Sequence, residues 1–252
     1  MPRLPLLASS FLLAAAALPA RAGAPASRSV VLVTLDTTRA DALGSYGAPR
    51  ATPALDALAA RGLRYARALS ASPLTLPAHA SLLTGLEPPE HGAVDNGTSV
   101  LAGDVPTLAT LLAARGHACA AFVASRVLDR RFGLARGFEP YDDRMAAERT
   151  GEYGYPERDA ASVTEAALAW LGRRPAGRPF FLWVHYYDAH APYDGDGATP
   201  QERYAGEVRA VDAAVGRLLA ALPRGEQAPL VAAVGDHGEA FGEHGFFLHA
   251  TP

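Results

Sequence analysis

Two continuous apolar runs, Ser29–Leu35 (SVVLVTL) and Pro229–Val234 (PLVAAV), lie near opposite ends of the chain, and each leads into a carboxylate. An unbroken, β-branched run without polar alternation is the pattern of a strand buried on both faces, hence of a parallel sheet covered by helices. The first run ends at Asp36 and the second at Gly235-Asp236-His237. Open α/β sheets bind their ligands beyond the carboxyl ends of the strands. Two carboxylates and an imidazole delivered to that edge can converge on one cation.

Between these runs the periodicity alternates. Thr52–Gly62 reads as a Thr-capped, Gly-terminated helix, Val105–Arg115 as a helix closed by Gly116, and His117–Ser125 as a strand. Ala146–Pro156 is a polar, Gly-containing connection, Ala161–Arg174 an amphipathic helix and Arg178–Tyr187 a strand. Tyr204–Leu222 places Val208, Val211, Val215, Leu218, Leu219 and Leu222 at helical spacing. This order predicts an α/β fold with a mostly parallel sheet sandwiched by helices.

The first residues read as a signal peptide over 1–24: Arg3, an apolar Leu6–Leu18 centre, and the small-x-small site Ala20-Arg21-Ala22. The expected location is therefore export, to a periplasm or outside the cell. The apolar centre is too short for a comfortable permanent anchor, so no stable membrane span is expected after signal removal. Cys119 is the single cysteine and cannot form an internal disulfide. A net charge of −3 without a basic run argues against a nucleic-acid partner. Every basic side chain other than histidine is an arginine, so no lysine can clamp an anion.

Thr75 lies two residues before Pro77, a residue favoured in the first turn of a helix. A helix over Pro77–Leu83 would aim its N-terminal amides at the Thr75 oxygen and at an anionic group transferred to it. A hydroxyl is a weak nucleophile, and metal coordination is one way to activate it. Without a wider pattern, Thr75 and Asp36 could each be plain helix caps.

The wider pattern is present. Asp36, Thr75-Leu-Pro-Ala-His-Ala-Ser-Leu-Leu-Thr-Gly85 and Gly235-Asp-His-Gly-Glu239 together resemble the active-site signature of the sulfatase family in the alkaline phosphatase superfamily. In that family the central stretch opens on Cys or Ser, which is oxidised to formylglycine. Thr75 cannot give that aldehyde and is similar instead to the unmodified Thr of phosphoester-cleaving members. The resemblance assigns a divalent cation to Asp36, Thr75, Asp236 and His237. Thr37 replaces the second Asp of the family's usual pair, and His237 replaces an amide. Zinc or manganese is therefore favoured, with calcium or magnesium as the other candidates.

The resemblance also implies roles for other residues. Thr75 is the expected nucleophile, and His190, in Tyr187-Asp-Ala-His-Ala-Pro-Tyr193, the expected general acid or anion contact. His79 occupies the place of an anion-holding Arg. His249 ends a stretch from Phe241 that resembles phosphoethanolamine transferases, whose final His contacts phosphate. Asn96, in the turn Asp95-Asn-Gly97, is a further substrate contact. His185 reads as a buried strand residue, and Arg39 with Asp41 as a structural ion pair. Val123–Leu128 carries neither the Lys nor the His that touch sulfate in sulfatases.

The implied function is a metal-dependent hydrolase of phosphate or sulfate esters, phosphoester favoured, working through a covalent Thr75 intermediate. Its partner would be a small-molecule, glycan-linked or lipid-linked ester. The alternatives are a phosphoethanolamine-type transferase acting on envelope acceptors and a non-catalytic sulfatase-fold fragment. The family pattern continues well past Pro252, so the resemblance implies a catalytic domain over 29–252 that is incomplete at its C-terminus.

Overall fold

A computed structural model describes residues 27–49, 52–145 and 156–249. The expected signal peptide, most of the polar 146–156 connection and the last three residues lie outside the described residues. Five parallel strands form the main sheet: β1 (Val30–Leu35), β2 (Ala118–Phe122), β3 (Tyr141–Asp142), β4 (Phe180–Tyr186) and β5 (Leu230–Gly235), in the order β3-β2-β4-β1-β5. β6 (Ala240–Phe241) and β7 (Phe247–Leu248) make a separate antiparallel pair.

Alternating side chains divide the core. Val31, Val33 and Leu35 of β1 and Phe180, Leu182, Val184 and Tyr186 of β4 pack with α1 (Pro53–Ala60), α5 (Ala160–Arg173) and α6 (Pro200–Ala220). Leu32, Phe181 and Trp183 face the opposite way, toward α2 (Thr75–Thr84) and α4 (Leu108–Ala114). A short α3 (Pro88–His91) follows α2. The expected α/β sandwich is thus present, with helices on both faces.

Several local expectations are corrected. α2 begins at Thr75 rather than Pro77, so Thr75 belongs to the first turn. Thr52 precedes α1 but does not cap its amides; Asp212 of α6 accepts from Ala54 N at 3.1 Å and Leu55 N at 2.8 Å. β5 is not buried on both faces: it pairs with β1 at the sheet edge, and Leu230 is 53% exposed.

The register prepares the site. Leu35 stands beside Tyr186 on one side and Gly235 on the other. Three adjacent parallel strands therefore end abreast, and the next residues along them are Asp36, Tyr187 and Asp236.

Candidate active site

Asp36, Asp236 and His237 offer three ligand atoms within 4.8 Å of one another, all on buried residues. Asp36 Oδ1 and Asp236 Oδ2 are buried without a hydrogen-bond partner. Buried acceptors are rarely left unpaired, and two unpaired carboxylate oxygens in one cluster suit a cation. The remaining oxygens are held in place. His185 Nε2 lies 3.1 Å from Asp36 Oδ2, while Thr37 N and His237 N donate to Asp236 Oδ1 at 3.2 and 2.8 Å.

Electrostatics agree with this fit. Burial works against an ionised Asp36, but the His185 hydrogen bond and the surrounding imidazoles outweigh it and hold the carboxyl below its ordinary range. Burial, followed by the Asp36 charge, pushes Asp236 well above the ordinary carboxylate range. Two such carboxylates do not both ionise unless positive charge joins them.

His237 is oriented as a neutral donor of a lone pair. Its Nδ1 lies 3.1 Å from Gly238 O, an arrangement that requires the proton on Nδ1 and leaves Nε2 bare. Nε2 faces Asp236 Oδ2 at 3.5 Å and the Thr75 hydroxyl at 3.4 Å. Burial lowers the His237 pKa and favours this neutral form. Thr75 is itself buried at the start of α2, whose next amide, Leu76 N, donates to Asn96 Oδ1 at 2.8 Å. Asn96 therefore anchors the helix start through its side-chain oxygen.

A row of rings leads away from Thr75. His237 and His249 have centroids 4.6 Å apart, His249 and His190 4.9 Å, and His190 stacks on Tyr187 at 4.4 Å. His190 Nδ1 is engaged by Ala191 O at 2.6 Å, and burial lowers its pKa. His249 Nδ1 meets Glu239 Oε1 at 3.1 Å, and Tyr193 OH donates to Glu239 Oε2 at 2.9 Å. Burial opposes charge on His249, but the Glu239 hydrogen bond and charge prevail and raise its pKa.

The structure thus brings together Asp36, Thr75, Asp236, His237, His249 and His190. His79 is placed differently from the sequence expectation. It is fully buried, with Nδ1 on Thr75 O at 2.7 Å and Nε2 on Thr34 Oγ1 at 3.0 Å, so neither ring nitrogen is left for a substrate anion. Arg39 and Asp41 form the expected ion pair at 2.7 Å.

Two residues gain importance beyond the sequence reading. His185 is buried as expected, and it also holds Asp36. Glu239 is buried and unites His249 with Tyr193. Its signal was an acid two residues after the Asp-His pair.

Thr37, where a second carboxylate would stand, has φ of +50°, a strained left-handed setting for a β-branched residue. Its hydroxyl donates to Ala189 O at 2.7 Å, and Tyr204 OH donates to its carbonyl at 3.0 Å. These bonds hold the turn and tie the His190 loop to the end of β1.

A protein-family model described as Sulfatase matches residues 28–252. The N-acetylgalactosamine-6-sulfatase of Canis lupus familiaris is 30% identical over 251 residues, covering 80% of this chain and 48% of that protein. The Homo sapiens enzyme of the same name is 29% identical over 245 residues, covering 78% and 47%. The chain spans about half the length of these relatives. Among solved structures, Ps i-CgsB in complex with k-i-k-neocarrahexaose is similar with a TM-score of 0.70 at 21% identity, covering 84% of this chain and 59% of that one. The phosphonate monoester hydrolase of Agrobacterium radiobacter gives 0.66 at 21% identity, covering 84% and 63%.

Proposed function

The chain belongs to the sulfatase family, and on that premise we propose that it is a metal-dependent hydrolase of phosphate or sulfate esters, phosphoesters favoured, in which Thr75 forms a covalent intermediate. One observation carries this reading. Thr75, which cannot become formylglycine, presents its hydroxyl 3.4 Å from His237 Nε2, beside the unpaired oxygens of Asp36 and Asp236. A divalent cation held by Asp36, Asp236, His237 and Thr75, zinc or manganese before calcium or magnesium, would supply Lewis acidity to the Thr75 hydroxyl and offset anionic charge.

Thr75 Oγ, its proton released beforehand to bulk water, attacks phosphorus in line; the Thr75–phosphorus bond forms as the bond to the alcohol oxygen breaks. His249, its positive charge supported by Glu239, contacts the phosphoryl oxygens. His190, whose Nδ1–H donates to Ala191 O, must take up a second proton on Nε2 before the cycle, and as that imidazolium it delivers the Nε2 proton to the leaving oxygen. The bare Nε2 then takes a proton from water as water attacks phosphorus and releases Thr75. Asn96, fixed to Leu76 through its oxygen, offers its amide nitrogen to the substrate.

Sulfate esters are the second reading, favoured by relatives named N-acetylgalactosamine-6-sulfatase; the substrate would then be a sulfated small molecule or glycan. Phosphoesters come first because Thr75 stands in the nucleophile position and Val123–Leu128 lacks the sulfate-contacting pair. The signal segment supports action after export. Thr75→Ala is expected to abolish turnover of nitrophenyl phosphate or a nitrophenyl phosphodiester. Intact-mass measurement should find Thr75 unoxidised, and during slow turnover a phosphoryl adduct of about 80 Da on it. Full activity in Thr75→Ala would rule out the covalent route.

A further inference from the structure

Trp183, Thr34, His79 and Thr75 form one hydrogen-bonded line through the core beneath the site. Trp183 Nε1 lies 3.0 Å from Thr34 Oγ1, Thr34 Oγ1 lies 3.0 Å from His79 Nε2, and His79 Nδ1 lies 2.7 Å from Thr75 O. The two ends of the line are one-way groups, and they set the direction of the protons between them. An indole N–H only donates, so Thr34 Oγ1 accepts from Trp183. The Thr34 hydroxyl proton is then available to His79 Nε2, which accepts it. A backbone carbonyl only accepts, so His79 Nδ1 carries the ring proton and donates it to Thr75 O. The Thr75 carbonyl requires the Nδ1–H tautomer, and the Thr34 hydroxyl, accepting from Trp183, has its proton free to match it.

The ring is also gripped sterically. Its centroid lies 5.5 Å from Trp183 and 4.8 Å from His185, whose ring stands edge-on to it. His185 is the side chain that holds Asp36. The register explains the convergence: Thr34 stands beside His185, and Trp183 precedes His185 by two positions on the same face of β4.

We propose that His79 is a positioning residue, locked by Trp183 and Thr34 as the Nδ1–H tautomer, which fixes the first turn of α2 and so the place of the Thr75 hydroxyl against the Asp36–Asp236–His237 cluster. The consequence for catalysis rests on the nucleophilic reading of Thr75; the tautomer lock does not.

The test uses the full chain labelled with ¹⁵N-histidine and a long-range ¹H–¹⁵N spectrum at neutral pH. His79→Asn identifies the His79 signals by their loss. The expected wild-type pattern is a protonated Nδ1 and a bare Nε2. Thr34→Ser should keep it, whereas the near-isosteric Thr34→Val should disperse it and shift the Trp183 indole N–H. An Nε2–H tautomer in the wild type, or a pattern untouched by Thr34→Val, overturns the lock.

A second arm follows nitrophenyl ester turnover. His79→Asn retains a donor near the Nδ1 position and should keep kcat within a few-fold. His79→Gln and Thr34→Val should lose roughly ten- to a hundredfold in kcat with KM unchanged. A loss expressed in KM instead would overturn positioning in favour of direct anion contact. A wild-type chain that showed the tautomer but turned over no ester would sustain the lock and count against the Thr75 reading alone.

Discussion

Asp36 Oδ1 and Asp236 Oδ2 are the two polar atoms of the site whose surroundings are least complete, and both are buried. Burying one unpaired carboxylate oxygen costs roughly 1–3 kcal/mol, and more when it is charged. A cation removes that cost at both positions. Metal analysis is expected to find about one divalent ion per chain, with zinc or manganese displacing calcium, because an imidazole replaces an amide oxygen and Thr37 supplies no carboxylate. Asp236→Asn should lower the bound-metal fraction sharply. Stoichiometric calcium that survives competition with zinc would contradict this ligand assignment. Asp36 and Asp236 were legible in the sequence because each follows an apolar run. The part played by His79 was not, since a motif position says nothing about where a ring points. Only the coincidence of Thr34, Trp183 and His185 on one face turns it under Thr75.

At the scale of elements, β1, β4, α5 and α6 follow the apolar periodicity closely, because their side chains meet a core on a regular repeat. β3 and the β6–β7 pair escape that reading, being two residues per strand and too short to carry a period. The start of α1 misleads for another reason: Asp212, far away in sequence, accepts its amides in place of Thr52. β5 misleads through its position at the edge, where Leu230, Ala232 and Ala233 are exposed despite a composition suited to burial. Among the described residues only β1 pairs with β5. Such an edge is a template for pairing with another copy. Light scattering of the 252-residue chain should therefore show concentration-dependent association. Ala232→Lys should reduce it, and an unchanged association constant would exclude β5 as the sticky element.

For the molecule as a whole, His79 makes a signed contribution to stability. Burial, followed by the nearby His185, lowers its pKa to about 3. The unfolded chain, with an ordinary histidine near 6.5, binds more protons between these values, so stability rises with pH across that window. The contribution is complete above about pH 6.5 and is lost as pH falls toward about 3. Its size is on the order of a few kcal/mol. Urea unfolding of wild type and His79→Asn from pH 8 to 4 isolates it as a difference curve. A wild-type advantage that shrinks on acidification is expected; a flat difference would mean that His79 titrates normally.

The abreast endings of β1 and β5 carry a consequence for the order of events in the life of the chain. Asp36 is made early and Asp236 two hundred residues later. While a ribosome is still adding the residues between them, Thr75 exists but its electrostatic surroundings do not. Because β5 docks beside β1, its arrival adds that strand to the sheet and delivers two of the three clustered candidate ligands, Asp236 and His237. Under the proposed mechanism, cation uptake would mark the docking of β5 against β1, and the Thr75 hydroxyl would stay dormant until that long-range pairing has formed.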